Sequence, residues 1–331
     1  MVPDRELPTV SVLLITRDRR ALLADALKSI EGLEYPREKL QVVVVEDTND
    51  PRPPPGVVYI ARPPDTKGFG FIRNISVQAS TGEILAFTDD DCVVDRGWLR
   101  ELVTPLLLHP DVAGVGGAVL PGNASLLGLC EYVLGYPGGG LRYVHAAAGN
   151  LMETRQLNTV NCAYRRRALL EAGGFDPRAA RGGEDYLLAR EVTKRHRCLF
   201  NPRAVVHHRS RGNLRGLFRR FFNFGRGEIE IRGFVREKAP LAGLMLRGSV
   251  GLKYLGLLLV LLLADLPPLW VLPAAAGHYA YLLVSYRPLT RSLPGRSVLW
   301  AVPGIRFVCD LGMDCGRARA LLERVLGGAR T

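Results

Sequence analysis

The chain has 331 residues, 47% hydrophobic and 23% charged, which excludes a disordered or collagen-like polymer and suits one large domain or two ordinary ones. Its 44 basic against 32 acidic residues give a net charge of +12, pointing to an anionic partner: nucleic acid, a lipid headgroup or a phosphorylated substrate. The six cysteines form no C-x-x-C pair and no metal-binding spacing, which fits a reducing compartment, and the N-terminal MVPDRELPTV lacks the apolar region of a secretion signal.

The run Val10 to Ile15 is short and almost continuously apolar, as a buried parallel strand should be. Leu22, Leu23, Ala26, Leu27 and Ile30 then share one helical face. Residues 41–45 and 57–60 read as a second and third strand, separated by the loop Asp50 to Pro55 (DPRPPP), which cannot lie in a central strand. Residues 72–80 read as a helix and 84–88 as a fourth strand. Strands alternating with helices predict an α/β fold with a mostly parallel sheet. Ligands of such sheets bind at the carboxyl edge of the strands. Glu46-Asp47 end the second strand there, and Asp89-Asp90-Asp91 end the fourth. A turn or helix cap is enough to explain an acidic pair. Three adjacent carboxylates repel one another unless a cation or donor hydrogen bonds neutralise them, so the triplet predicts a divalent cation site.

From Arg209 to Gly227 the composition changes to arginine and phenylalanine. Leu214, Leu217, Phe218, Phe221 and Phe222 follow helical spacing, with Arg215, Arg219 and Arg220 around them, which predicts an interfacial helix on anionic membrane lipids. The same residues would suit RNA, with arginine on phosphate and phenylalanine on bases. The apolar stretches just downstream favour the membrane over nucleic acid. Tyr254 to Ala264 carries no charge, and Leu266 to Tyr286 is interrupted only by His278 among charged or titrating groups before the tyrosines. Together they predict a transmembrane hairpin over about 246–286, flanked by Arg247, Lys253, Arg287, Arg291 and Arg296, with both ends cytoplasmic. The alternative is a helical hairpin buried in a soluble domain. Residues 298–326 read as an amphipathic, partly membrane-associated helix. The region 121–160, with GYPGGGLRYVHAAAGN, yields no reading beyond loop-rich.

Six segments stand in a telling order: PTVSVLLITRD, VVVVEDTND, KGFGFIRNISVQASTGEILAFTDDDC, NCAYRRRALLEAGGFD, GGEDYLLARE and NPRAVVHHRSR. In this order and spacing the chain resembles the family 2 glycosyltransferases from about Pro8 to Gly227. The resemblance implies a GT-A catalytic domain (Rossmann-like, mostly parallel sheet, nucleotide-sugar-binding) over 1–210. An amphipathic interfacial region over 211–240 and membrane-associated helices over 241–331 would follow. It implies inverting, metal-dependent transfer from a UDP- or GDP-sugar to a lipid-linked acceptor in glycan biosynthesis, at the cytoplasmic face of a cell membrane. The divalent cation would be Mn2+ or Mg2+.

The resemblance also carries roles onto matching positions. Asp47 would accept from the base ring, and Thr16 lies in the loop closing over it. Lys67 opens the glycine-rich stretch, and Arg73 and Asn74 follow it near the nucleotide. Asp89 would approach the ribose and Asp91 the metal, with Asp90 between them ambiguous. Asn161 would meet the donor or acceptor sugar. An acceptor hydroxyl is a weak nucleophile and needs a base. Asp185 matches that carboxylate, Glu184 being a neighbour able to exchange roles, although a helix N-terminus alone also attracts such a pair. His207 or His208 matches a third metal ligand, with the H-x-x-R spacing to Arg211 favouring His208. One departure is the stretch RGLFRRFF, which lacks the Q-x-x-R-W of processive synthases. Two alternatives remain open: a polyprenyl-phosphate sugar synthase whose acceptor is the lipid phosphate, and a non-catalytic membrane scaffold.

Overall fold

The computed structural model describes residues 2–65, 67–123, 125–210, 212–235, 249–291, 293 and 297–327. The chain divides into two compact units, Met1–Ala124 with Gly135–Ser210, and Ser125–Leu134 with Arg211–Thr331.

The first unit is an α/β sheet domain. Its strands are β1 (Val10–Thr16), β2 (Leu40–Asp47), β3 (Val58–Arg62), β4 (Ile84–Thr88), β5 (Cys92–Val94), β6 (Val112–Pro121), β7 (Met152–Glu153), β8 (Asn161–Arg165) and β9 (Arg197–His208). Its helices are α1 (Arg20–Glu31), α2 (Gly68–Ala79) and α3 (Trp98–Leu108), with α5 (Gly140–Ala147), α6 (Arg166–Glu171) and α7 (Glu184–Val192) later in the chain. The strand order is β3-β2-β1-β4-β8-β6-β9-β5, with β7 on β9.

The four strands read from the sequence form the parallel part, β3-β2-β1-β4. Beyond β4 the sheet is mixed, because β8 runs antiparallel to both β4 and β6. Alternation along each strand feeds two cores, one on each face of the sheet. Val12, Leu14, Val44 and Ala86 join Trp98 and Leu102 on one side. Leu13, Val43, Leu85 and Phe87 join Tyr164 and Phe175 on the other. In register, Thr16 lies beside Glu46, and Asp47 beside Arg62. The carboxyl ends of β1, β2 and β4 therefore form one edge.

The second unit is helical: α4 (Leu126–Leu134), α8 (Leu214–Val235), α9 (Val250–Leu263), α10 (Val271–Thr290) and α11 (Ser297–Gly327). The arginine–phenylalanine segment is α8, as its spacing required; Leu217, Phe221 and Ile229 are buried within the unit, Phe218 and Phe222 are half-buried, and Leu214 is exposed. Helices α8 and α11 touch through glycine. A Cβ on Gly225 would lie 2.2 Å from the Met313 carbonyl oxygen, and one on Gly316 would lie 2.0 Å from that of Phe222. Arg220 pairs with Glu131 of α4 at 2.9 Å, and Arg317 of α11 with Glu228 of α8 at 2.7 Å.

The expected transmembrane hairpin is corrected. Among the described residues no helix is long and apolar enough to cross a membrane. The 14 residues of α9 span roughly 21 Å, short of a hydrocarbon core of about 30 Å. The 20 residues of α10 carry His278, Ser285, Arg287 and Pro288. Arg211, Arg247 and Arg296, which entered the sequence argument, lie outside the described residues.

Candidate active site

The site lies on the carboxyl edge of β1, β2 and β4 in the first unit. The turn from β1 into α1 is tight, with Asp18 at φ 50°, a left-handed conformation uncommon for a residue with a side chain. Arg17 and Arg19 flank it. Arg17 Nη2 donates to Asp47 Oδ2 at 2.7 Å, and Arg62 Nη1 donates to Asp47 Oδ1 at 3.0 Å. Asp47 is buried, with both oxygens held by guanidinium groups.

Arg19 occupies the N-cap of α1, where its side chain caps nothing. Its fork instead spans two members of the triplet, Nη1 to Asp90 Oδ1 at 2.7 Å and Nη2 to Asp91 Oδ2 at 2.5 Å. The Thr16 hydroxyl donates to Asp90 Oδ2 at 2.5 Å. Thr16 therefore supports the triplet. Asp90 is buried, and that burial pushes its carboxyl up to about 6, against the pull of the Thr16 hydroxyl and the Arg19 charge. Asp89 is the most open of the three, with a side chain 33% exposed.

The glycines of KGFGFIRN have a mechanical use. Gly68 sits at φ +75°, where a Cβ would lie 2.3 Å from the Ala180 Cα, and one on Gly70 would lie 2.6 Å from the Asp176 carbonyl oxygen. The start of α2 thus lies against the segment leading into α7. Arg73, one turn further along α2, reaches both acidic groups: Nη2 to Asp89 Oδ1 and Nε to Glu184 Oε1, each at 3.2 Å. Its Nη1 is buried and has no hydrogen-bond partner among the described residues. Lys67 lies with its ammonium 4.6 Å from the centre of the Phe71 ring, which Arg62 also approaches at 5.1 Å.

Glu184 and Asp185 open α7, after Gly183 at φ +88°. Glu184 is buried and Asp185 half-buried. Burial raises both carboxyls above the usual range, helped by the Asp185 charge at Glu184 and by the Asp89 charge at Asp185, while Arg73 pulls the other way. Asp185 Oδ1 accepts from the Tyr186 backbone N–H at 2.7 Å. The pair is therefore poised to take a proton at a pH where ordinary carboxyls do so poorly.

Histidines 207 and 208 end β9 and diverge. His208 Nε2 lies 3.6 Å from Asp91 Oδ1, whereas His207 Nε2 lies 3.0 Å from Asp95 Oδ1. His207 is thereby withdrawn from the triplet, as alternation along a strand demands. No group of three or more His, Cys, Asp or Glu that could hold a metal is gathered among the described residues. Asp91 and His208 do suit a divalent cation as two protein ligands, one carboxylate and one imidazole, a set that accepts Mn2+.

Two expected ligand residues are spent on structure. Asn161 is buried; it accepts from Trp98 Nε1 at 2.8 Å and donates to the carbonyls of Ala118 and Ala204 at 2.7 and 2.9 Å. No amide donor is left for a sugar. Asn74 exchanges both hydrogen bonds with the backbone of Phe175, at 2.8 and 3.0 Å, tying α2 to the chain before α7. The sequence reading missed Arg17, Arg19 and Arg62. The signal was present in RDRR directly after Thr16, basic residues at alternating positions where a strand ends.

The family described as "Glycosyltransferase like family 2" matches residues 8–223. Two curated relatives come from Haloferax volcanii. Glucosyl-dolichyl phosphate glucuronosyltransferase is 24% identical over 230 residues, covering 60% of this chain and 69% of that protein. Glycosyltransferase AglE is 24% identical over 245 residues, covering 68% and 74%. Among solved structures, the mannosyltransferase PcManGT from Pyrobaculum calidifontis, in complex with GDP-Man and Mn2+, is similar with a TM-score of 0.54 at 20% identity. That likeness covers 98% of this chain and 89% of that one, and it shows a shared fold.

Proposed function

The chain belongs to glycosyltransferase family 2 and transfers a sugar from a nucleotide donor, and on that premise we propose inverting, metal-assisted transfer to a lipid-linked acceptor at a membrane surface. The observation that carries this reading is Arg73, whose ion pairs to Asp89 and Glu184 join the strand edge and the start of α7 into one site. In the proposed reaction the Asp185 carboxylate takes the proton from the acceptor hydroxyl. The hydroxyl oxygen bonds to the anomeric carbon as the bond to the diphosphate breaks. The electron pair leaves with the nucleoside diphosphate, and attack from the opposite side inverts the centre. The unpartnered Nη1 of Arg73 is a cationic donor available to the donor substrate. Asp91 and His208 would hold the divalent cation, whose chemistry is to neutralise charge developing on the departing diphosphate.

Both the donor and acceptor parts draw support from the similar proteins. The Pyrobaculum structure contains GDP-Man and Mn2+, and a Haloferax relative carries glucosyl-dolichyl phosphate in its name. Membrane association is supported by the second unit, where Leu255, Leu259, Val260, Leu262 and Leu263 are all exposed on α9 and Trp270 follows. Apart from Lys253 near its start, the exposed surface of that helix is apolar.

The test is to incubate the purified protein with UDP- and GDP-sugars, Mn2+ and lipid-linked saccharides, and to read the anomeric configuration of the product. Inverted product, lost in Asp185→Asn, is expected. Retained configuration would overturn the one-step mechanism. Full activity in Asp185→Asn with a bare lipid phosphate would replace the hydroxyl acceptor by the phosphate itself.

A further inference from the structure

Arg19 stands where a cation would otherwise be needed. The three carboxylates Asp89, Asp90 and Asp91 meet two guanidinium groups, Arg73 on Asp89 and the Arg19 fork across Asp90 and Asp91. The three carboxylates thus face two guanidinium groups, one of which, Arg73, is shared with Glu184. The two oxygens of Asp91 are divided: Oδ2 is held by Arg19 and Oδ1 faces His208 at 3.6 Å. A divalent cation approaching that gap meets a carboxylate already half neutralised, with a like charge on its other oxygen. Such an arrangement weakens the pull on a bare cation. A diphosphate brings several negative charges of its own and offers the guanidinium an alternative bidentate partner.

Three features suit Arg19 to move. Its side chain is 31% exposed, so one flank is open to solvent. It sits at the N-cap of α1 without capping the helix, so leaving the triplet breaks no helix hydrogen bond. The Asp90 carboxylate keeps the Thr16 hydroxyl when Arg19 goes, and the main chain of Asp91 stays anchored through its carbonyl to the Arg209 backbone N–H.

We propose that Arg19 is the site's internal counter-cation: it holds Asp90 and Asp91 in the empty enzyme, turns to the diphosphate when the donor arrives, and so makes metal binding conditional on the nucleotide. The inference rests on the metal reading of Asp91 and His208 given above. Coupling of this kind is reciprocal, so Mn2+ must raise nucleotide affinity by the same factor by which the nucleotide raises Mn2+ affinity.

The test measures free Mn2+ by electron paramagnetic resonance during titration of the full chain, with and without UDP or GDP. Wild type, Arg19→Gln and Arg19→Lys are compared, each with its circular dichroism recorded to show that it is folded. The expected result is weak Mn2+ binding by the empty wild type, tightened by a nucleotide. Arg19→Gln should bind Mn2+ alone at least tenfold more tightly, with less gain from the nucleotide. Arg19→Lys keeps the charge but not the fork and should bind Mn2+ alone less tightly than Arg19→Gln. Equal or weaker Mn2+ binding in folded Arg19→Gln, or an Arg19→Lys that behaves like it, overturns the role of Arg19 while nucleotide-dependent binding by wild type leaves the metal site standing. Wild type that binds no Mn2+ with either nucleotide overturns both.

Discussion

Asp185 is the base in the proposed reaction, and its surroundings set when it would be ready. Burial and the nearby Asp89 charge raise its carboxyl, so the proton-accepting form is scarce at low pH and accumulates as pH rises through the raised value. The kcat/KM profile should therefore climb at a pH above the ordinary carboxylate range. Asp185→Asn should lose on the order of 10²–10⁴-fold in kcat, measured as nucleoside diphosphate release. Asn161 behaves differently. Removing its amide in Asn161→Ala leaves the carbonyls of Ala118 and Ala204 without their buried donor, at a cost of about 1–3 kcal/mol. Its melting temperature should fall while the donor KM stays; a raised KM at unchanged stability would restore it to the sugar site. At this scale the sequence was legible where residue type limits the choices. A triplet of aspartates at a strand end has few uses, whereas an asparagine serves a core or a ligand equally well. The arginines that neutralise the acids lie 15 to 111 positions from them, so no local pattern announces the pairing.

The glycines of KGFGFIRN and of α11 put elements at distances that no side chain allows. Gly70→Ala would drive a Cβ against the backbone of Asp176, costing about 1–3 kcal/mol and displacing α2 with Arg73. It should lower both the melting temperature and kcat, whereas an unchanged kcat would detach the loop from the site. Apolar runs at strand length placed β1, β2 and β4 almost to the residue, because a strand buried on both faces has little freedom of composition. The amphipathic period of α8 was legible as a helix, yet period alone does not say what covers the apolar stripe. Protein covers part of it: Leu217 and Phe221 are buried and the backbone of α8 lies close to Gly312 and Gly316 of α11, while Leu214 is exposed. The segment 126–134, unread in the sequence, belongs with that bundle although the chain on either side of it belongs to the sheet.

For the whole molecule, net charge and the apolar helices α9 and α10 argue together for an anionic lipid surface. The protein should cosediment with vesicles containing anionic lipid, and part of that binding should be lost at high salt, where surface charges are screened. Failure to bind any vesicle would remove the membrane from the account. Hydropathy counted residues, while among the described residues α9 has 14 and no helix is long and apolar enough to cross a membrane. The central claim is a metal-assisted nucleotide-sugar site on the carboxyl edge of β1, β2 and β4. Its most direct test is the melting temperature of the protein with UDP, GDP and their sugars, with and without Mn2+, in wild type and Asp91→Ala. A ligand that binds only the folded state raises that temperature by mass action. The account predicts a rise with one nucleotide that grows when Mn2+ is added and loses that Mn2+ dependence in Asp91→Ala. A rise of the same size with and without Mn2+, or one that survives intact in Asp91→Ala, would contradict it.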